Sequence, residues 1–161
     1  MRAERGDIWE LHTAGATICV TTNIGWDEEM RNNMGAGLAL QAMSRWPWLP
    51  TWYGAECYRM ATAGEVRPLW FAPLRLILLP VKPLLDPAHP ERSWDQKANP
   101  EFIRQQLLTL RLMTALPHFP ARVALTLPGC GNGALHRDEV GPILHETLGG
   151  LPGFTLCDLA I

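Results

Sequence analysis

The stretch Arg122-Val123-Ala124-Leu125-Thr126-Leu127-Pro128-Gly129-Cys130-Gly131-Asn132-Gly133 sets the architecture of this chain. Its first half, Arg122 to Leu127, is apolar and partly β-branched, and reads as a buried strand. Its second half is a loop with glycine at alternate positions. Asp138 to Leu148 then places Val140, Ile143, Leu144 and Leu148 at helical spacing, with acids in the first turn facing the helix dipole. A glycine loop between a strand and a helix lies where an open α/β sheet holds its ligand.

A second cluster, Asn33-Met34-Gly35-Ala36-Gly37, stands between a β-branched strand, Thr17 to Ile24, and a helix over Gly35 to Arg45 that Pro47 stops. Glycine lets the backbone come close to a phosphate, and successive free N–H groups form an anion nest beside a helix N-terminus. Two such loops on neighbouring strands suit the two phosphates of a pyrophosphate. The alternative is a pair of tight turns, which seldom need alternate glycines twice.

The remaining pattern agrees. Thr51 to Met60 reads as a helix, Glu65 to Phe71 and Arg75 to Val81 as strands joined at Ala72-Pro73, and Asp86 to Pro100 as a polar loop. Pro100 to Ala115 is a helix lined by Ile103, Leu107 and Leu110, and Phe154 to Ala160 a last strand. Strands alternating with helices predict an α/β sandwich with a largely parallel sheet. Neither repeat nor linker divides the 161 residues, so one domain over 1–161 is expected.

With 47% hydrophobic and 19% charged residues the chain can bury a core. A net charge of -2 excludes broad phosphate attraction as a means of holding nucleic acid. Met1 to Leu11 has no apolar core and is not a signal peptide. Pro68 to Val81 is too short and too interrupted to span a bilayer. Cys19, Cys57, Cys130 and Cys157 lack metal-ligand spacing, so no metal and no cofactor is expected. Free thiols point to a cytoplasmic setting. Without GxxxxGK[ST] the chain is no P-loop NTPase, and its glycine order does not fit a dinucleotide dehydrogenase.

Taken together, the motifs resemble a macrodomain. Gly6-Asp7-Ile8 resembles that family's first-strand element, and Thr22-Asn23-Ile24-Gly25 its asparagine-bearing loop. Asn33 to Leu40 resembles the MGxGIA segment of the branch holding terminal ADP-ribose glycohydrolases and DNA ADP-ribosyl glycohydrolase antitoxins. Leu79-Pro80-Val81-Lys82 resembles that branch's strand-end lysine motif, and Pro128 to Leu135 its GCGxGGL phosphate loop. The resemblance implies a three-layer α/β/α fold around a mixed, largely parallel sheet, and an ADP-ribose site.

It also implies roles. Asp7, with the Ile8 backbone, would receive the adenine amino group. Asn23 and the loop Met34, Gly35, Ala36, Gly37, Leu38 would face the distal ribose. Pro128, Gly129, Cys130, Gly131, Asn132 and Gly133 would wrap the pyrophosphate. Lys82, one of only two lysines, would be catalytic at the anomeric carbon of the distal ribose. Burial at a strand end would lower its pKa and free a lone pair for attack; a charged Lys82 would instead stabilise an oxyanion or orient the ligand. For each residue a plainer role stands beside this one: a turn carboxylate for Asp7, a loop fastener for Asn23, a snorkelling side chain for Lys82.

The chain departs from the pattern in three places. Gly133 stands where some relatives carry a general-base acid, which suits the antitoxin-like members and weakens a two-residue deacylation mechanism. His136-Arg137 replace the usual aromatic; His136 is either an acid–base group or a cap for the next helix. Trp26 to Asn33 lengthens the first ligand loop, where Trp26 would stack on a base and Arg31 meet a phosphate, unless the segment is a solvated flap. Trp46, Trp48 and Trp52 read as packing.

The expected activity is hydrolysis of ADP-ribose from a modified substrate, a nucleic acid base before protein, by a monomer with no membrane contact. The alternatives are a non-catalytic ADP-ribose reader and, more remotely, a Cys130–His136 hydrolase.

Overall fold

The computed structural model describes residues 1–158. Six strands form one sheet: β1 (Arg2–Glu4), β2 (Thr17–Asn23), β3 (Leu69–Phe71), β4 (Leu76–Lys82), β5 (Val123–Leu125) and β6 (Phe154–Cys157). Their order is β1-β6-β5-β2-β4-β3. All neighbours are parallel except β3, which runs antiparallel to β4. The carboxyl ends of β2, β4 and β5 therefore share one edge.

Alternation along the central strands divides the core into two layers. Ile18, Val20, Leu76 and Leu78 face helices α1 (Ile8–Thr13), α2 (Gly37–Arg45) and α3 (Leu49–Ala63). Cys19, Ile77, Leu79, Val123 and Leu125 face α4 (Pro100–Met113) and α5 (Arg137–Leu148). This is the three-layer α/β/α arrangement: strands buried on both faces read as continuous apolar runs. Pro80 is tolerated inside β4 because β3 pairs only with Leu76, Ile77 and Leu78, so Pro80 is flanked on one side alone.

The N-terminal segment corrects the sequence reading. β1 ends at Glu4, and Gly6-Asp7-Ile8 is not strand. Asp7 instead caps α1, its Oδ1 accepting from the Trp9 N–H at 2.9 Å. Charged residues hid this short helix, which buries only Ile8 and Trp9. The expected strand Glu65–Phe71 shrinks to Leu69–Phe71, because α3 runs on to Ala63 and Gly64 ends it in the left-handed conformation. The last strand ends at Cys157; residues 159 and 160 of the expected strand lie outside those described. No helix among the described residues is long and apolar enough to cross a membrane.

Candidate functional site

The shared strand edge opens into a cleft of about 670 Å³. Its floor holds the ends of β2 and β4, where a register shift after Thr22 sets Asn23 opposite Lys82. Its walls are the two glycine loops and a third segment, Trp94 to Lys97.

Lys82 closes the floor. Only 9% of it is exposed, and its Nζ donates to the carbonyls of Trp94 at 2.7 Å and Asn132 at 3.1 Å. It therefore ties the third wall to the second glycine loop. Burial holds its pKa below the usual lysine range, and the Asp95 carboxylate opposes that shift. An ammonium has three protons to give; two carbonyls take two, leaving one position on Nζ for another partner. Both lysines of the chain, Lys82 and Lys97, line the cleft.

The glycine loops face each other. A Cβ built on Gly37 would lie 3.6 Å from the Asn132 amide. α2 begins at Gly37 with no side-chain cap and no acid in its first turn, so its N–H groups are open to an anion. In the second loop, the N–H groups of Gly131, Asn132 and Gly133 have no acceptor among the described residues. Gly133 is dictated by packing: a Cβ there would come within 2.4 Å of the Gly129 carbonyl and 2.7 Å of Ala98 Cβ. An acid at this position has no room in this loop.

Asn23 lines the cleft, but its side chain is occupied. Nδ2 donates to the Asn33 carbonyl at 2.8 Å, and Oδ1 accepts from the Gly25 N–H at 2.9 Å and Asn32 Nδ2 at 3.0 Å. Asn32, fully buried, also donates to the carbonyls of Asn23 and Gly25. These bonds fasten the 26–33 segment through the buried Asn32, while Glu28, Glu29, Arg31 and Asn33 stay exposed, as a solvated flap would have them. Gly54 of α3 lets it dock, since a Cβ there would sit 2.1 Å from the Met30 carbonyl. Trp26 packs edge-on to Tyr58, and Arg31 pairs with Asp27 and Glu29, so neither side chain points free into the cleft. The Asp27 carboxyl stays below its usual pKa, held first by the Arg31 N–H.

The sequence-derived site thus divides. Lys82, Asn23, Gly35, Ala36, Gly37, Gly129, Gly131, Asn132 and Gly133 converge on the cleft. Met34 is buried in the core and Leu38 packs against it. Pro128 is buried beneath its loop, and Cys130 packs on the α4–α5 layer. Burial raises the Cys130 thiol pKa, leaving it protonated and a poor nucleophile. His136 is the N-cap of α5, its N–H donating to the Glu139 carboxylate at 2.8 Å. Asp7 and Ile8 sit beyond the carboxyl end of β1, on the same sheet edge but outside the cleft lining, with Ile8 in the core.

The third wall is absent from the sequence reading, which takes Asp86 to Pro100 as a polar loop. The signal for it is Trp94 and Lys97, an aromatic and one of two lysines in a loop with little else to bury. No group of His, Cys, Asp and Glu suited to a metal occurs among the described residues.

No family model and no curated protein matches the chain. Solved structures do. The chain is similar to the macrodomain of Mycobacterium tuberculosis DarG, at 26% identity and a TM-score of 0.68 over 97% of this chain and 94% of that one. It is similar to the macrodomain of Thermus aquaticus DarG at 25% identity and a TM-score of 0.71, covering 98% and 97%. Thermosipho africanus DarTG in complex with ADP-ribose shares the fold, at 18% identity and a TM-score of 0.68, over 99% of this chain and 42% of that one.

Proposed function

We propose that the chain is a DarG-like macrodomain, as its likeness to two DarG macrodomains supports, that its cleft binds ADP-ribose and that Lys82 releases the ligand from a nucleobase. The observation that carries this reading is the position of Lys82 Nζ, at the floor between both glycine loops, tied to Trp94 and Asn132. The pyrophosphate lies against the open N–H groups of Gly131 to Gly133 and the start of α2. The distal ribose then reaches the Asn23–Lys82 end. Backbone amides supply the anion site, which suits a chain of net charge -2.

In the chemical step the neutral Lys82 amine attacks the anomeric carbon. The bond from that carbon to the base breaks, its electron pair leaves with the base, and the base takes up the proton that the attacking nitrogen gives up, directly or through water. Water then hydrolyses the lysine adduct and restores the amine. Burial favours the neutral amine needed for this attack.

A second reading is supported by the same contacts. Two carbonyl acceptors are how a protein holds an ammonium, and an ammonium orients a bound ligand without turnover. One experiment separates the two. Wild type and Lys82→Ala are incubated with an oligonucleotide ADP-ribosylated on a base and with ADP-ribosylated protein, and released ADP-ribose is followed. Lys82→Ala is expected to lose about 10²-fold or more in rate on the oligonucleotide. Binding of ADP-ribose by wild type without release establishes the reader; full activity in Lys82→Ala overturns the lysine mechanism.

A further inference from the structure

A second hollow of about 440 Å³ adjoins the cleft and shares Asn23, Asn33, Gly35 and Trp94 with it. Two of those shared residues flank Lys82. Asn23 is its partner in strand register, and the Trp94 carbonyl accepts its Nζ proton. The hollow therefore adjoins the Lys82 end of the cleft and offers room for a group attached to a carbon held there.

Trp94 is set apart from the other tryptophans. Trp9, Trp26, Trp46, Trp48, Trp52 and Trp70 each pack against another ring. Trp94 alone among the described tryptophans has no such ring contact, and 47% of it is exposed, although its carbonyl is fixed. An exposed indole beside a reacting position, backed by Met43 and Pro47 across the hollow, suits a flat aromatic ligand.

The surroundings limit how that ligand is presented. Asp27, Glu28, Glu29 and Glu91 line the surface just beyond, where Arg31, paired with Asp27 and Glu29, offsets one of the four charges. That acidic rim repels a phosphodiester strand laid along it. A base turned out of its strand enters without drawing its phosphates across the rim.

We propose that this hollow is the acceptor subsite, and that Trp94 stacks on a single everted nucleobase carrying the ADP-ribose. This rests on the reading of the cleft as an ADP-ribose site. Trp94 is a specificity residue, and because its carbonyl is backbone, replacing its side chain keeps the Lys82 contact.

The test compares wild type, Trp94→Ala and Trp94→Phe. Free ADP-ribose binding is measured by calorimetry, and kcat and KM with the oligonucleotide ADP-ribosylated on a base and with ADP-ribosylated protein. Because Trp94 also lines the cleft, the ratio is what is read: Trp94→Ala is expected to raise KM for the oligonucleotide about 10-fold or more beyond any loss of free ADP-ribose affinity, as loss of one stacked base would. Trp94→Phe restores most of that loss, and for protein substrates KM rises no more than free ADP-ribose affinity falls. If wild type binds without turnover, the same ratios are read from affinities for the intact modified substrates. Equal losses on free ADP-ribose and oligonucleotide, no loss on either, or a loss confined to protein substrates overturns the subsite. Failure of wild type to bind ADP-ribose overturns the reading of the cleft itself, and the subsite falls with it.

Discussion

Asn23 and Lys82 stand opposite each other at the carboxyl ends of two parallel strands, and only a register shift after Thr22 makes them partners. Their side chains then divide the work. The amide of Asn23 is consumed by its own loop, while Lys82 bridges two other walls of the cleft. Lys82 is thus held by backbone oxygens, with the Asp95 carboxylate as the charge that favours its ammonium form.

That arrangement predicts a pH profile. Burial disfavours the ammonium, so the attacking amine appears at lower pH than for an ordinary lysine. The rate of ADP-ribose release should rise with pH through a pKa below 10.5. Asp95 stabilises the ammonium, so Asp95→Asn should move the rise to lower pH. Initial rates from neutral to alkaline pH for both proteins check this. A rate that falls as pH rises would assign the ammonium, not the amine, as the active form.

Gly133 and Gly131 should respond differently to the same methyl group. At Gly133 the added Cβ meets the Gly129 carbonyl and Ala98, and Gly133→Ala should cost about 1–3 kcal/mol. At Gly131 nothing lies within 4 Å, and Gly131→Ala should change stability by about 0.5 kcal/mol or less. Urea unfolding measures both. Gly133→Glu should unfold the loop and supply no general base.

Asn32 should matter more than its silence in the sequence suggests. Its Nδ2 serves the carbonyls of Asn23 and Gly25 and the Asn23 Oδ1, all buried. Asn32→Ala should cost about 1–3 kcal/mol by removing the side-chain donor to the buried Asn23 and Gly25 carbonyls, while Asn23 Oδ1 keeps the Gly25 N–H. Amide exchange should quicken from Gly25 to Asn33, and unchanged exchange there would show that the loop is held by other contacts.

Cys130→Ala should release ADP-ribose at about the wild-type rate, because a thiol whose pKa burial has raised is no nucleophile at neutral pH. Loss of activity on this substitution, with binding of ADP-ribose intact, would bring the Cys130–His136 hydrolase back.

Local pattern made much of this molecule legible. The apolar runs of β2, β4 and β5 read as strands because both their faces are buried. The glycine loops read as an anion site because alternate glycines carry their own geometric meaning. Lys82 stood out by rarity and by its place after an apolar run. α1 did not, since six residues with a charged exposed face leave almost no periodic signal. Nor did the third wall, whose Trp94 and Lys97 have no spacing that marks them as neighbours of Lys82.

Sequence by itself therefore determined the strands, the helices with long apolar stripes, the two phosphate-type loops and the lysine that ends β4. Each is written in consecutive residues, where side-chain period and backbone freedom act locally. Tertiary structure alone decided which strand ends meet, that Asn23 is spent on its loop, and that Asp7 caps a helix. It also decided that Lys82 is bracketed by Trp94 and Asn132, 12 and 50 residues away along the chain. Those are consequences of strand order and register, which depend on how two apolar faces are covered at once and which no single stretch of residues encodes.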